Sequence, residues 1–178
     1  MPENQRLFIA CFPPPELGRA LHRLARRQHA LLGGRCMPAA NLHLTLTFLG
    51  QTPTASIPTI LDILNRMPAL ECTLNLDTLG TFVNGGIVWA GSASVPESLA
   101  EWVTQLRAGL QDSDIVFDNR LFRPHITLLR KAAQIEAPIE PALAWQLRRA
   151  ELCISRSSAD GSVYQVVSSA SQPPAGAI

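Results

Sequence analysis

The chain has 178 residues, 47% of them apolar and 16% charged, and a formal net charge of +1. That composition excludes disorder and suits one domain, or two small lobes around a shared core. The near-neutral balance excludes sequence-independent coating of a nucleic acid, though a single phosphate or chain end needs only a few local cations.

Arg6 to Phe12 reads as a short buried strand, stopped by Pro13-Pro14-Pro15. Glu16 to Leu32 reads as a helix. Leu17, Leu21, Leu24 and Leu31 form its core stripe, Arg19, Arg23, Arg26 and Arg27 lie outside it, and Gly33-Gly34 ends it. Leu42 to Leu49 is the next strand, followed by a helix between Thr54 and Met67 with Pro58 in its first turn. Leu70 to Leu79 alternates as a strand; Asn84-Gly85-Gly86 is a turn, and Ile87 to Ala90 a short strand. Pro96 to Leu110 is helical, with Leu99, Trp102, Val103, Leu106 and Leu110 on its apolar face. Leu121 to Leu129 is a strand interrupted by Pro124, and Lys131 to Pro141, rich in Ala and Pro, an irregular connection. Trp145 to Ser155 and Ser162 to Ser168 form a hairpin around Ala159-Asp160-Gly161, and residues 171–178 a frayed tail. Mixed strands and helices with a late hairpin make the fold class α+β, one domain over 1–178.

The cysteines, Cys11, Cys36, Cys72 and Cys153, match no zinc spacing, and three sit in apolar strand-like stretches. The opening MPENQRLFIACFPPP lacks the charged start and long apolar run of a signal peptide, and no stretch reaches the length of a membrane span. The expectation is a reduced, cytoplasmic setting, with no membrane partner.

Two segments repeat a pattern: His43-Leu44-Thr45-Leu46 and His125-Ile126-Thr127-Leu128. In a strand, residues two apart share a face, so each segment presents an imidazole and a hydroxyl together and turns its apolar residues the other way. One copy of so short a pattern is an ordinary surface feature. Two copies, using two of only four histidines, are not. His22 and His29 lie a heptad apart on the polar side of the first helix and read as surface residues.

A histidine pair supplies one base and one acid near neutral pH. Hydrolysis of a cyclic phosphodiester needs both, on opposite sides of phosphorus, and motifs on separate strands can provide that separation. Thr45 and Thr127 suit the non-bridging oxygens as donors, with charge from a nearby arginine. Two histidines without a paired carboxylate or cysteine make a poor metal site, so neither a metal nor another cofactor is expected.

The tetrapeptides HLTL at 43–46 and HITL at 125–128 resemble the two signatures of the 2H phosphoesterase superfamily. Their surroundings, NLHLTLTFLG and FRPHITLLR, and the opening RLFIACFPP are similar to the RNA 2′,3′-cyclic phosphodiesterases, also called 2′-5′ RNA ligases. The resemblance implies two pseudo-symmetric lobes with antiparallel sheets lining a central cleft. It also implies a metal-independent mechanism in which His43 donates a proton to the 3′-oxygen, His125 activates water, and Thr45 and Thr127 bind the phosphate. The product is then a 2′-phosphate; substrates are RNA ends bearing a 2′,3′-cyclic phosphate, or small cyclic nucleotides. The assignment of acid and base rests on the resemblance, since the motifs are too alike to decide it.

Arg130 also fits the family pattern, but it is five residues from His125, and a regular strand would aim it at the opposite face. It reaches the phosphate only if the strand ends or bulges first. Arg123 shares the face of His125 by spacing, with Pro124 between them. Phe48, at an odd offset from His43, falls in the core by the same pleat argument, with stacking on a base as the alternative. Arg148 and Arg149 read as surface charge. Two other functions use the same residues: ATP-independent 2′-5′ RNA end joining, and a non-catalytic module for cyclic-phosphate ends. No glycine loop with its lysine is present for ATP-driven ligation. A monomer is expected.

Overall fold

The computed structural model describes residues 3–158 and 161–167. Its strands are β1 (Asn4–Cys11), β2 (Arg35–Cys36), β3 (Leu44–Pro53), β4 (Cys72–Phe82), β5 (Ile87–Gly91), β6 (His125–Arg130), β7 (Ala137–Leu147), β8 (Glu151–Ser158) and β9 (Gly161–Val166). The helices are α1 (Pro15–Leu32), α2 (Ile57–Arg66) and α3 (Glu97–Asp112). The sheet runs β7-β4-β5-β6-β3-β1-β8-β9, with β2 added on β6. Every pairing in it is antiparallel.

The sheet is two four-stranded halves joined at a seam. β3 and β6 share a single register pair, Leu44 opposite Ile126, the x residues of the two motifs. The halves have matching order outward from the seam: β3-β1-β8-β9 on one side and β6-β5-β4-β7 on the other. The matching units are β1-α1-β3 and β5-α3-β6, a repeated strand–helix–strand. This is the expected α+β arrangement of two pseudo-symmetric lobes, with the twin motifs at the axis that relates them.

One continuous apolar cluster fills the helix side of the sheet. It includes Leu7, Ile9, Leu21, Leu44, Leu46, Leu99, Leu106, Ile126, Leu128 and Leu129. A second, smaller cluster of Phe8, Ala10 and Cys153, with Phe12, Phe48 and Tyr164 packed on it, lies on the other face of the first lobe. β1 is buried on both faces because its alternate residues feed both clusters. Burial pushes the Cys11 and Cys153 thiols up, the latter to about 12, so neither is a nucleophile at neutral pH.

Several elements differ from the sequence reading. Leu31 is 77% exposed. Ala25 is buried and moves the stripe's centre towards Leu32, which packs on the core instead. Leu121 to Pro124 is not strand: the chain there is a loop, pinned where the Asp118 N–H donates to the Phe48 carbonyl (2.8 Å), and β6 begins only after Pro124. The supposed irregular stretch 131–141 contains the start of β7. Its prolines, Pro138 and Pro141, are accommodated because β7 is an edge strand, where a missing N–H removes no ladder bond. Trp145 to Ser155 is two strands, not one. β7 and β8 belong to opposite lobes, and the chain crosses between them at 148–150. The β8–β9 hairpin forms as expected; its tip at 159–160, Ser168 and the tail 171–178 lie outside the described residues.

Candidate active site

Each motif strand carries a β-bulge directly after its His-x-Thr. On β3, Ala10 faces Thr45 but Ile9 faces Thr47, so Leu46 is the extra residue. On β6, Trp89 faces Thr127 but Val88 faces Leu129, so Leu128 is extra. A bulge shifts the pleat by one residue. Leu46 and Thr47, like Leu128 and Leu129, therefore all turn inward and are buried. The residue five after each histidine swings onto the histidine's own face. That residue is Phe48 on β3 and Arg130 on β6.

The condition set for Arg130 is met: it is half-buried and lines a cleft of about 340 Å³ together with His43, Thr45, His125 and Thr127. The pleat argument fails for Phe48, which lines the same cleft, its ring under the Arg6 guanidinium at 5.1 Å. Arg123 is exposed and lies outside this cleft, in an adjoining cavity of about 570 Å³ that includes His125. Its backbone matters more than its side chain: the Arg123 carbonyl accepts a hydrogen bond from His125 Nδ1 at 2.7 Å.

His43, just before β3, is held the same way, with Nδ1 donating to the Asn41 carbonyl at 2.7 Å. A carbonyl can only accept, so both Nδ1 atoms carry hydrogen, and in each neutral ring Nε2 is left with the lone pair. The two reactive nitrogens are thus alike in tautomer. They differ in company: His43 Nε2 lies 3.0 Å from the Thr45 hydroxyl, whereas no such bond joins His125 to Thr127. The antiparallel register at the seam puts Thr127 beside His43 and Thr45 beside His125. Two imidazoles, two hydroxyls and one guanidinium meet in one cleft, a set able to hold a phosphate and exchange protons on either side of it.

The sequence profile described as LigT like Phosphoesterase matches residues 12–89. Over 158 residues the chain is 32% identical to the RNA 2′,3′-cyclic phosphodiesterase of Escherichia coli, covering 89% of this chain and 90% of that one. It is also 32% identical to the RNA 2′,3′-cyclic phosphodiesterase of Thermus thermophilus, over 91% of this chain and 87% of the other. The chain belongs to this family of phosphoesterases. The fold agrees: the crystal structure of E. coli LigT complexed with 3′-AMP superposes with a TM-score of 0.82 at 29% identity, covering 93% of this chain and 97% of that one. As a LigT-like member of the 2H phosphoesterases, the chain is a hydrolase of phosphodiester bonds.

The electrostatics of this phosphoesterase site favour neutral imidazoles at rest. Burial lowers the His43 pKa; the Asn41 carbonyl opposes that, and the charges of His125 and Arg130 lower it further. Burial also lowers the His125 pKa, opposed by the Arg123 carbonyl. No three His, Cys, Asp or Glu side chains among the described residues converge as a metal ligand set. No described helix is long and apolar enough to cross a membrane.

Several residues of the site escaped the sequence reading. Phe8 (5.1 Å), Phe12 (5.8 Å) and Tyr164 (5.0 Å) pack their rings against His43. Phe82 packs edge-on against His125 at 4.9 Å, backed by Trp89. Trp89 lies across Gly80 and Gly91, where a Cβ would come within 2.2 and 2.8 Å of its ring. Arg120, held by Asp118, lines both cavities. Tyr164 is the chain's one tyrosine, and the parity of Phe8 with Ala10 on β1 was available as a signal. The others depend on pairings no local pattern encodes.

Proposed function

We propose that the chain hydrolyses the 2′,3′-cyclic phosphate at the 3′ end of an RNA, leaving a 2′-phosphomonoester and a 3′-hydroxyl, without a metal or other cofactor. The observation that carries the reading is the pair of pseudo-symmetric histidines, each clamped through Nδ1 to the carbonyl two residues before it, opening onto one cleft with Arg130. The E. coli relative crystallised with 3′-AMP, a nucleotide whose phosphate sits on one of the two oxygens that the cyclic ester bridges.

In the proposed reaction His125 Nε2 takes a proton from water as its oxygen forms a bond to phosphorus. The P–O3′ bond breaks on the opposite side, and protonated His43 gives its Nε2 proton to the departing oxygen. The proton gained at one ring balances that lost at the other, and solvent exchange resets the pair. Arg130 and the Thr45 and Thr127 hydroxyls donate to the non-bridging oxygens, where charge builds in the transition state. Phe48 offers a face for a base. The lowered His125 pKa keeps it a free base near neutral pH. His43 must be protonated to act, and the bound phosphate anion favours that form.

The test is an oligoribonucleotide ending in a 2′,3′-cyclic phosphate, incubated with the protein in excess chelator. A 2′-phosphate product at the full rate is expected. A 3′-phosphate product, or activity only with added metal, would refute the mechanism.

A further inference from the structure

Beside the cleft lies a second depression that the chemistry above does not use. It is a groove of about 590 Å³ between the start of α1 and residues 39–42. Its walls are apolar, from Phe12, Pro13, Ala39, Ala40 and Leu42, and its α1 side carries Arg19, His22 and Arg23. Arg19 and Arg23 are exposed and one helical turn apart, and no ion pair among the described residues involves them. α1 holds four of the chain's 15 basic residues and only one of its 14 acidic ones, so the rest of the chain is net acidic. The net positive charge of the chain is therefore carried by this helix.

The groove adjoins the wall of the catalytic cleft. Phe12 lines it and also packs its ring 5.8 Å from the His43 ring. Ala39, Ala40 and Leu42 flank Asn41, whose carbonyl orients His43. We infer that this groove holds the RNA strand immediately upstream of the cyclic end, with Arg19 and Arg23 on its backbone phosphates and the apolar wall against a ribose or base. The inference rests on the cyclic-phosphate reading of the cleft. An apolar trough with cations along one wall suits a single strand, whose bases and phosphates point apart. His22, a plain surface residue by its sequence spacing, becomes part of that wall.

The variants are Arg19→Glu/Arg23→Glu and Arg19→Lys/Arg23→Lys, at exposed positions away from the reacting groups. Each is compared with wild type on two substrates: a 2′,3′-cyclic mononucleotide, which cannot reach the groove, and an oligoribonucleotide with the same end. The Glu pair should lower kcat/KM about tenfold on the oligonucleotide, leave the mononucleotide rate unchanged, and the Lys pair should restore most of the loss. Loss of two phosphate contacts should also flatten the salt dependence, so that a fourfold rise in salt weakens wild-type binding about sevenfold more than the variant's. Equal effects on both substrates, or no effect on either, would overturn the inference and leave the groove to another polyanion. Binding of an oligonucleotide ending in a 2′-phosphate, followed by fluorescence anisotropy, separates the two claims. If wild type hydrolyses neither substrate, the cleft reading fails, while the anisotropy difference between wild type and the Glu pair still decides the groove.

Discussion

Entering β3 the chain runs His43, Leu44, Thr45, Leu46, Thr47, Phe48; on β6 it runs His125, Ile126, Thr127, Leu128, Leu129, Arg130. The backbone treats the two alike. Both histidines are clamped by the carbonyl two residues earlier, and both strands bulge at the leucine that ends the motif. The side chains diverge after that. The fifth residue is aromatic in one lobe and cationic in the other, and only His43 shares its Nε2 with its own threonine. The Arg130 charge of the second lobe acts across the seam on His43 of the first and lowers its pKa. Duplicated backbone geometry fixes where the groups stand, and a few non-equivalent positions make the two halves chemically different.

The largest effect should come from removing either histidine. His43→Ala and His125→Ala are each expected to lower kcat by about 10²–10⁴-fold, and a variant of full activity would break the pairing of roles. In wild type, kcat/KM should be bell-shaped in pH. The base acts only above its pKa and the acid only below its own, and both are lowered in the free protein. The optimum should therefore fall on the acid side of the ordinary 6.5. The kcat optimum should lie higher, because bound phosphate raises His43; an unshifted kcat profile would contradict that.

Next come the fifth residues. Arg130→Ala should cost about 10²-fold, mostly in kcat, since it removes charge from the developing transition state. Phe48→Ala should instead raise KM, by about 5- to 150-fold, as loss of one base stack worth about 1–3 kcal/mol would. If the two variants behaved alike, the proposed division between a cationic and an aromatic lobe would be wrong. Thr45→Val and Thr127→Val sharpen the contrast further. Each loses a phosphate donor, about 1 kcal/mol or several-fold in rate, but only Thr45→Val should also shift the limb of the pH profile that reports His43. The smallest effect concerns the bulges. Thr47 is 2% exposed, and its hydroxyl has no hydrogen-bond partner among the described residues, where the other strand has Leu129. Thr47→Val should raise stability by about 1 kcal/mol in thermal unfolding with activity unchanged.

Much of this could be read from the chain. The strands carrying the motifs, the three helices and the facing of His43 with Thr45 and of His125 with Thr127 follow from periodicity, because each is set by residues close in sequence. The placement of Phe48 does not. It depends on one extra residue opposite β1, and a bulge leaves no mark in the regular alternation of Leu44 to Thr47. The position of Arg130 is conditional in the sequence for the same reason. The division at 148–150 was illegible because an apolar alternation does not say which lobe each half joins. Tyr164, reached through the β8–β9 hairpin, meets His43 by tertiary pairing alone.

In the proposed reaction two histidines of matching geometry do opposite work, His43 as acid and His125 as base. The most direct measurement uses a 2′,3′-cyclic substrate with sulfur in place of the bridging 3′-oxygen. A thiolate departs without needing a proton, so the acid becomes dispensable. On this substrate His43→Ala should recover to near the wild-type rate while His125→Ala stays inactive. Recovery of His125→Ala instead, or of neither variant, would contradict it.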